Sequence, residues 1–172
     1  MQHISKMSLS SFLDTLAITV LCCLIVSCQG NLLTYKGSRV TPGESISLLE
    51  GEHSGYWQTR DLRINYTYSK KGNQMQISGD IDFAGWLGYN FQNILYFNIS
   101  MFLVDDQETI LQSSGVTSSS NFAQSQDSMS FSKTLDLPPG TTAIAFGYTG
   151  EARGIGDEEA GTTSFFYIPV HR

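Results

Sequence analysis

An all-β domain built as a single antiparallel β-sandwich is the fold this chain predicts, and three observations carry the expectation. Apolar residues recur at every second position along most of the chain beyond residue 45, which is the period of a strand with one buried face. Turn-forming clusters such as Lys70-Lys71-Gly72-Asn73, Asp105-Asp106-Gln107 and Pro138-Pro139-Gly140 separate those runs at short intervals, so that consecutive strands reverse direction. No stretch after residue 30 sustains the 3.6-residue period of an amphipathic helix.

The elements follow in order. Leu62, Ile64, Tyr66 and Tyr68 alternate with Arg63, Asn65 and Thr67, and the run ends in a hairpin turn at Lys70-Lys71-Gly72-Asn73. The returning strand places Met75, Ile77, Ile81 and Phe83 on one face, with Gly79 as a bulge or close packing point. In the longest strand, Ile94 to Val104, the residues Leu95, Phe97, Ile99, Met101 and Leu103 face one way and Tyr96, Asn98 and Ser100 the other. Thr109 to Gln112 returns from it. Ser113 to Ser128 is rich in Ser, Gln and Asn and reads as a long loop. Met129, Phe131 and Leu135 mark a further strand, and Ala143 to Tyr148 and Phe165 to Val170 complete a set of short antiparallel strands, the arrangement of a sandwich.

The N-terminal segment has a different character. Lys6 supplies a positive charge, Leu16 to Val26 is apolar but for Thr19, and Ser27 is a small residue immediately before Cys28. That apolar run is shorter than the about 20 residues that span a bilayer, so it reads as a processed signal. Ile25-Val26-Ser27-Cys28 resembles the lipobox of bacterial lipoproteins. The resemblance implies cleavage before Cys28, lipid on its sulfur and amino group, and a membrane-held protein; with Gln29 rather than Asp after it, it implies delivery to the outer membrane. An ordinary secretory cleavage near Gly30 is the alternative, and would release the protein. The resulting divisions are a signal peptide over 1–27, a lipidated cysteine and flexible tether over 28–44, and the sandwich over 45–172. A flexible tether of that length averages roughly 20 Å from end to end. The strand closing in Leu103-Val104-Asp105 resembles the FxLYD-type immunoglobulin-like domains of bacterial lipoproteins, with Met101 and Val104 in place of that pattern's aromatics. The resemblance implies an immunoglobulin-like sandwich, with a jelly roll as the other architecture.

Composition narrows the function classes. No cysteine follows Cys28, so no internal disulfide can form beyond it; extracellular eukaryotic domains of this size lean on disulfides, which favours a bacterial origin. Lys6 and Asp14 set aside, nine basic residues face fifteen acidic ones. The basic residues are scattered, which disfavours nucleic acid as a partner. His53 and His171 are the histidines beyond the signal, and neither Gly-x-Ser-x-Gly nor His-x-x-x-His occurs. A non-enzymatic protein without a cofactor is expected.

Three groups are candidate sites beside the lipid attachment at Cys28. Trp86, Tyr89 and Phe91 lie together in Gly85-Trp86-Leu87-Gly88-Tyr89-Asn90-Phe91, between two strands. Exposed, these rings would anchor a protein partner or stack on a glycan; folded inward, they would close one end of the core, as Tyr56 and Trp57 would the other. Glu151, Asp157, Glu158 and Glu159 lie among glycines between Gly150 and Gly161, a weak candidate for Ca²⁺ that otherwise reads as a solvated hairpin loop. Asp80 and Asp82 read as edge or surface charges. The expected role is a lipid-anchored interaction or accessory module with a protein partner in the envelope; the alternative is a carbohydrate-binding or Ca²⁺-dependent surface module.

Overall fold

The computed structural model describes residues 35–122, 129–155 and 161–171. Eleven strands and one short helix follow in order: β1 (Arg39–Val40), β2 (Ile46–Ser47), β3 (Gly51–Gln58), β4 (Leu62–Lys71), β5 (Gln74–Phe83), α1 (Gly85–Asn90), β6 (Phe91–Val104), β7 (Ile110–Phe122), β8 (Met129–Asp136), β9 (Ala143–Gly154), β10 (Thr162–Tyr167) and β11 (Val170–His171). Two sheets form the sandwich. One has the order β3-β4-β5-β8; the other has the order β10-β9-β6-β7, with β2 also paired to β9. All of these pairings are antiparallel. Setting β3 aside, β4, β5 and β8 take the places of strands A, B and E of an immunoglobulin-like sandwich, and β7, β6, β9 and β10 those of C′, C, F and G. Among these strands the chain crosses between sheets after β5, β7 and β8, as a Greek key requires, and it crosses once before them, after β2.

Alternation does what the sequence pattern demands in the first sheet. Leu62, Ile64, Tyr66 and Tyr68 of β4 and Met75, Ile77 and Ile81 of β5 are buried, while Arg63, Thr67, Gln76, Ser78, Asp80 and Asp82 are exposed on the other face. The hairpin closes with Lys71 opposite Gln74, and Gly72 takes the positive φ of 57° that the turn needs. Gly79 is a packing point rather than a bulge. Its register is unbroken, and a Cβ there would stand 2.5 Å from the Asn65 carbonyl oxygen and 2.9 Å from the Phe131 ring.

Outside the first sheet, the strands depart from the sequence reading in three places. In β6, Phe97, Ile99, Met101 and Leu103 face the main core as expected, but Leu95 does not: a register shift between Ile94 and Tyr96 makes Leu95 a bulge residue, half-buried, and puts Ile94 in the core. β7 runs on through Phe122, so Ser113 to Phe122 is strand where a loop was expected; residues 123–128 lie outside the described set. Its backbone pairs with β6 across two further register shifts, which leave Leu111 and Val116 as the extra residues. Between β5 and β6, the helix α1 forms without a side-chain cap.

The third departure concerns the tether. Residues 35–44 belong to the folded body, which begins at Tyr35. Val40 N–H donates to the Glu108 carbonyl at 2.8 Å, Gly37 N–H to that of Ile110 at 2.8 Å, and β1 pairs with β11. The reason is a second apolar cluster. Phe102, Val104, Ile110, Ala143 and Ala145 point away from the main core, and Val40, Tyr35, Ile168 and Val170 cover them. The Tyr35 ring meets Phe102 edge-on at 5.5 Å. Both faces of this end of the sheet are therefore buried. No described helix is long and apolar enough to cross a membrane.

A chain beginning at Ser45 should accordingly be much less stable than one beginning at Tyr35. Fully burying a single large apolar side chain contributes about 1.5–3 kcal/mol, so uncovering this cluster should lower the melting temperature by roughly 10 °C or more. Equal melting temperatures in thermal scans of the two chains would show that the segment adds no cover.

Candidate functional site

The outward face of the first sheet is dished rather than flat, and the strand register explains the shape. One row across the strands consists of Ser54, Thr67, Ser78 and Ser132, and the next of Tyr56, Asn65, Asp80 and Ser130. The first row is all small hydroxyl residues and forms a floor. Tyr56 and, one row further, Arg63 rise beside it. The result is a groove of about 560 Å³ lined by Ser54, Tyr56, Asn65, Thr67, Asp80 and Ser130 among others. With neighbouring strands about 4.8 Å apart, its path from β3 to β8 covers about 14 Å.

The groove's exposed aromatic side chain is held by a chain of contacts. Tyr56 is 62% exposed, yet the Arg63 guanidinium carbon sits 4.3 Å from its ring centroid, within cation–π range. Arg63 Nε–H donates to Asn65 Oδ1 at 3.0 Å, and Asn65 Nδ2–H donates to Asp82 Oδ2 at 3.0 Å. Asp82 thus fixes Asn65, Asn65 fixes Arg63, and Arg63 backs one face of the ring. Arg63 and Asp80 are the charged residues lining the groove, one of each sign.

The sequence reading did not find this site. Asp80 and Asp82 read there as edge or surface charges, and Tyr56 as a residue that closes the core beside Trp57. Trp57 is indeed buried, 5.7 Å from the Phe146 ring, but its neighbour on the strand must point the opposite way. β5 lies between β4 and β8, so Asp80 and Asp82 are surface charges and not edge charges. The available signal was the run of small polar residues at alternate positions on three strands, visible only once those strands are laid in register.

The aromatic connection is divided. Trp86 and Phe91 are half-buried and pack against the main core, their rings 6.0 Å apart. Trp86 Nε1–H donates to the Arg60 carbonyl at 3.1 Å, and the Arg60 guanidinium lies 5.1 Å from its ring centroid. Leu87 between them is fully buried. Tyr89 points outward and is 84% exposed. The three rings make no common platform: two close the core and one stands alone.

A second opening, of about 340 Å³, lies where the two sheets meet, lined by Glu44, Gln58, Thr59, Arg60, Asp61, Tyr148, Phe166 and Tyr167. Asp61 is the buried charged residue here. Its Oδ2 accepts a 2.7 Å hydrogen bond from the Tyr148 hydroxyl, and its Oδ1 accepts one of 3.1 Å from Arg60 Nε–H. The Thr59 hydroxyl donates to Tyr148 Oη at 3.0 Å, while Thr59 Oγ1 accepts from the backbone N–H groups of Asp61 and Leu62. Burial, and then the Asp61 carboxylate, push the Tyr148 phenol well above its ordinary value of 10; burial and Glu44 do the same to Tyr167. These groups satisfy one another, so the arrangement pins β9 to the turn before β4.

The remaining candidates separate. Glu151 is a strand residue, paired between Tyr96 and Ser164. Asp157, Glu158 and Glu159 lie outside the described residues, as does Cys28. Among the described residues no three His, Cys, Asp or Glu side chains gather as a metal ion would require. His53 packs against Tyr68 and bonds the Glu50 carbonyl, and β11 carries His171 opposite Arg39. No protein-family model matches the chain, and no curated protein matches it in sequence.

Two measurements test this assignment. Trp86→Ala should lower the melting temperature clearly, since truncating a large ring packed on the core costs up to about 3–5 kcal/mol when the ring is fully buried, whereas Tyr89→Ala should leave it unchanged. Equal effects would contradict the division of the aromatic segment.

The second concerns alkaline pH. The phenols of Tyr148 and Tyr167 hold their protons more tightly folded than unfolded, so their stabilisation is complete below pH 10 and is lost as pH rises above it. Unfolding in urea at stepped pH should show stability falling above pH 10. The fall should be shallower in Tyr148→Phe, and an unchanged slope would count against the buried bridge.

Proposed function

We propose that this chain is a non-enzymatic binding module of the bacterial envelope, held to its membrane by lipid on Cys28, and that the groove across β3, β4, β5 and β8 is its recognition surface. The observation that carries the reading is the chemistry of that groove. A sheet face that only had to stay wet would be well served by long charged side chains. Here the floor is Ser54, Thr67 and Ser78, which have little rotamer freedom to lose when covered, and immobilising long side chains is one of the main costs of association. The exposed ring is already positioned by Arg63, Asn65 and Asp82, so ordering it costs little on binding. For the membrane attachment, the support is the Ile25-Val26-Ser27-Cys28 sequence.

The reading has two tests. In cells, Cys28→Ser should leave an uncleaved precursor that takes up no labelled palmitate; normal maturation would remove the lipid anchor from the proposal. In vitro, the full-length chain purified in mild detergent should bind saturably to envelopes from producing cells that lack the gene. Thr67→Arg, which fills the groove from an exposed strand position, should abolish that binding at an unchanged melting temperature. Equal binding by the two proteins would exclude the groove.

A further inference from the structure

Resting on the groove as the recognition surface, we infer that its occupant is a neutral oligosaccharide chain that stacks one sugar ring on Tyr56. Four properties of the surface select this class together. First, Tyr56, 62% exposed, supplies an aromatic ring beside a polar floor, the combination that suits a pyranose ring, which is apolar on its C–H face and polar around its rim. Second, the lining is dense in groups that both donate and accept: the hydroxyls of Ser54, Thr67, Ser78 and Ser130 match sugar hydroxyls, which also do both.

Third, the planar groups of Arg63, Asn65 and Asp80 share the lining with the ring. The bonds among Arg63, Asn65 and Asp82 use one N–H of the guanidinium and one of the amide. The guanidinium carries five N–H donors and the amide two, so others stay available to a ligand. Fourth, the charge of the lining balances, with Arg63 against Asp80. A sulfated or uronic acid polymer would need an excess of basic groups, and a basic peptide an excess of acidic ones. The path of about 14 Å across the four strands is longer than one sugar ring, so the site accommodates several units in a row.

An apolar protein segment is the occupant this surface fits least, because the floor would leave its hydroxyls unpaired beneath it. A peptide adding itself as a strand would engage the edge of β3 or β8 and not the sheet face.

The test uses the full-length chain in detergent and envelopes digested with protease until free of protein. Groove-dependent binding, meaning binding lost in Thr67→Arg, should survive the digestion. Neutral oligosaccharides released from those envelopes by partial acid hydrolysis should compete for it, and fractions of several units should compete at least tenfold better than single sugars. Tyr56→Ala should weaken binding by about tenfold, the loss of one ring contact, and Tyr56→Phe should retain it. Loss of groove-dependent binding on protease treatment would overturn the saccharide and identify a protein occupant while leaving the groove in place. Competition confined to anionic fractions would overturn the neutral class. Binding indifferent to Thr67→Arg from the outset would instead refute the groove, and with it both readings.

Discussion

The structure depends on the two-sided burial of the β6–β9 pair. A strand sends alternate residues to opposite faces, and in β6 and β9 both sets are apolar at one end: Met101 and Leu103 look into the main core, while Phe102 and Val104, beside Ala143 and Ala145, look out of it. One sheet cannot cover both. The β3-β4-β5-β8 sheet covers the inner set, and the segments at 35–40 and 168–170 cover the outer one. The first sheet, by contrast, is apolar on its inner face alone, and its outer face carries polar and charged residues with the exposed ring of Tyr56 among them. The two sheets therefore differ in how much of their outer faces the rest of the chain covers.

Much of the fold was legible because period two is a strong signal where one face is dry and the other wet. β4, β5 and β8 are such strands, and their inward residues and hairpin turn lie where the pattern puts them. β7 was illegible for a physical reason: beyond Ile110 it is held by backbone hydrogen bonds to β6 and carries Ser and Thr on both faces, so no alternation marks it. β1 and β11, of two residues each, are too short for any period. Their place follows from a requirement elsewhere in the chain, the cover that Phe102 and Val104 need. The stretch Met101-Phe102-Leu103-Val104 is apolar on both faces, which the reading of this strand as one-sided did not use.

The site was less legible than the fold. Aromatic residues drew attention to the β5–β6 connection because a sequence displays them side by side, and there Trp86 and Phe91 went to the core. The groove is assembled from residues on four strands that meet only through register. Each of Ser54, Thr67, Ser78 and Ser130 reads as an ordinary wet position by itself, and Tyr56 stood next to a tryptophan whose burial it does not share. The Thr59, Asp61 and Tyr148 bridge is similar in kind, since its partners Asp61 and Tyr148 are 87 residues apart and carry no mutual signature.

One further consequence follows from the shape of β7. As the last strand of its sheet it presents a row of backbone groups that β6 does not use, 13 residues long, the sort of border along which molecules crowded together can zip into ribbons. Its irregularities at Leu111 and Val116 break the even spacing that another strand would have to match. Lys133 of β8 donates to the Gly115 carbonyl, occupying that acceptor and setting a positive charge against the border. That border is therefore poorly matched to the regular strand that would have to pair with it.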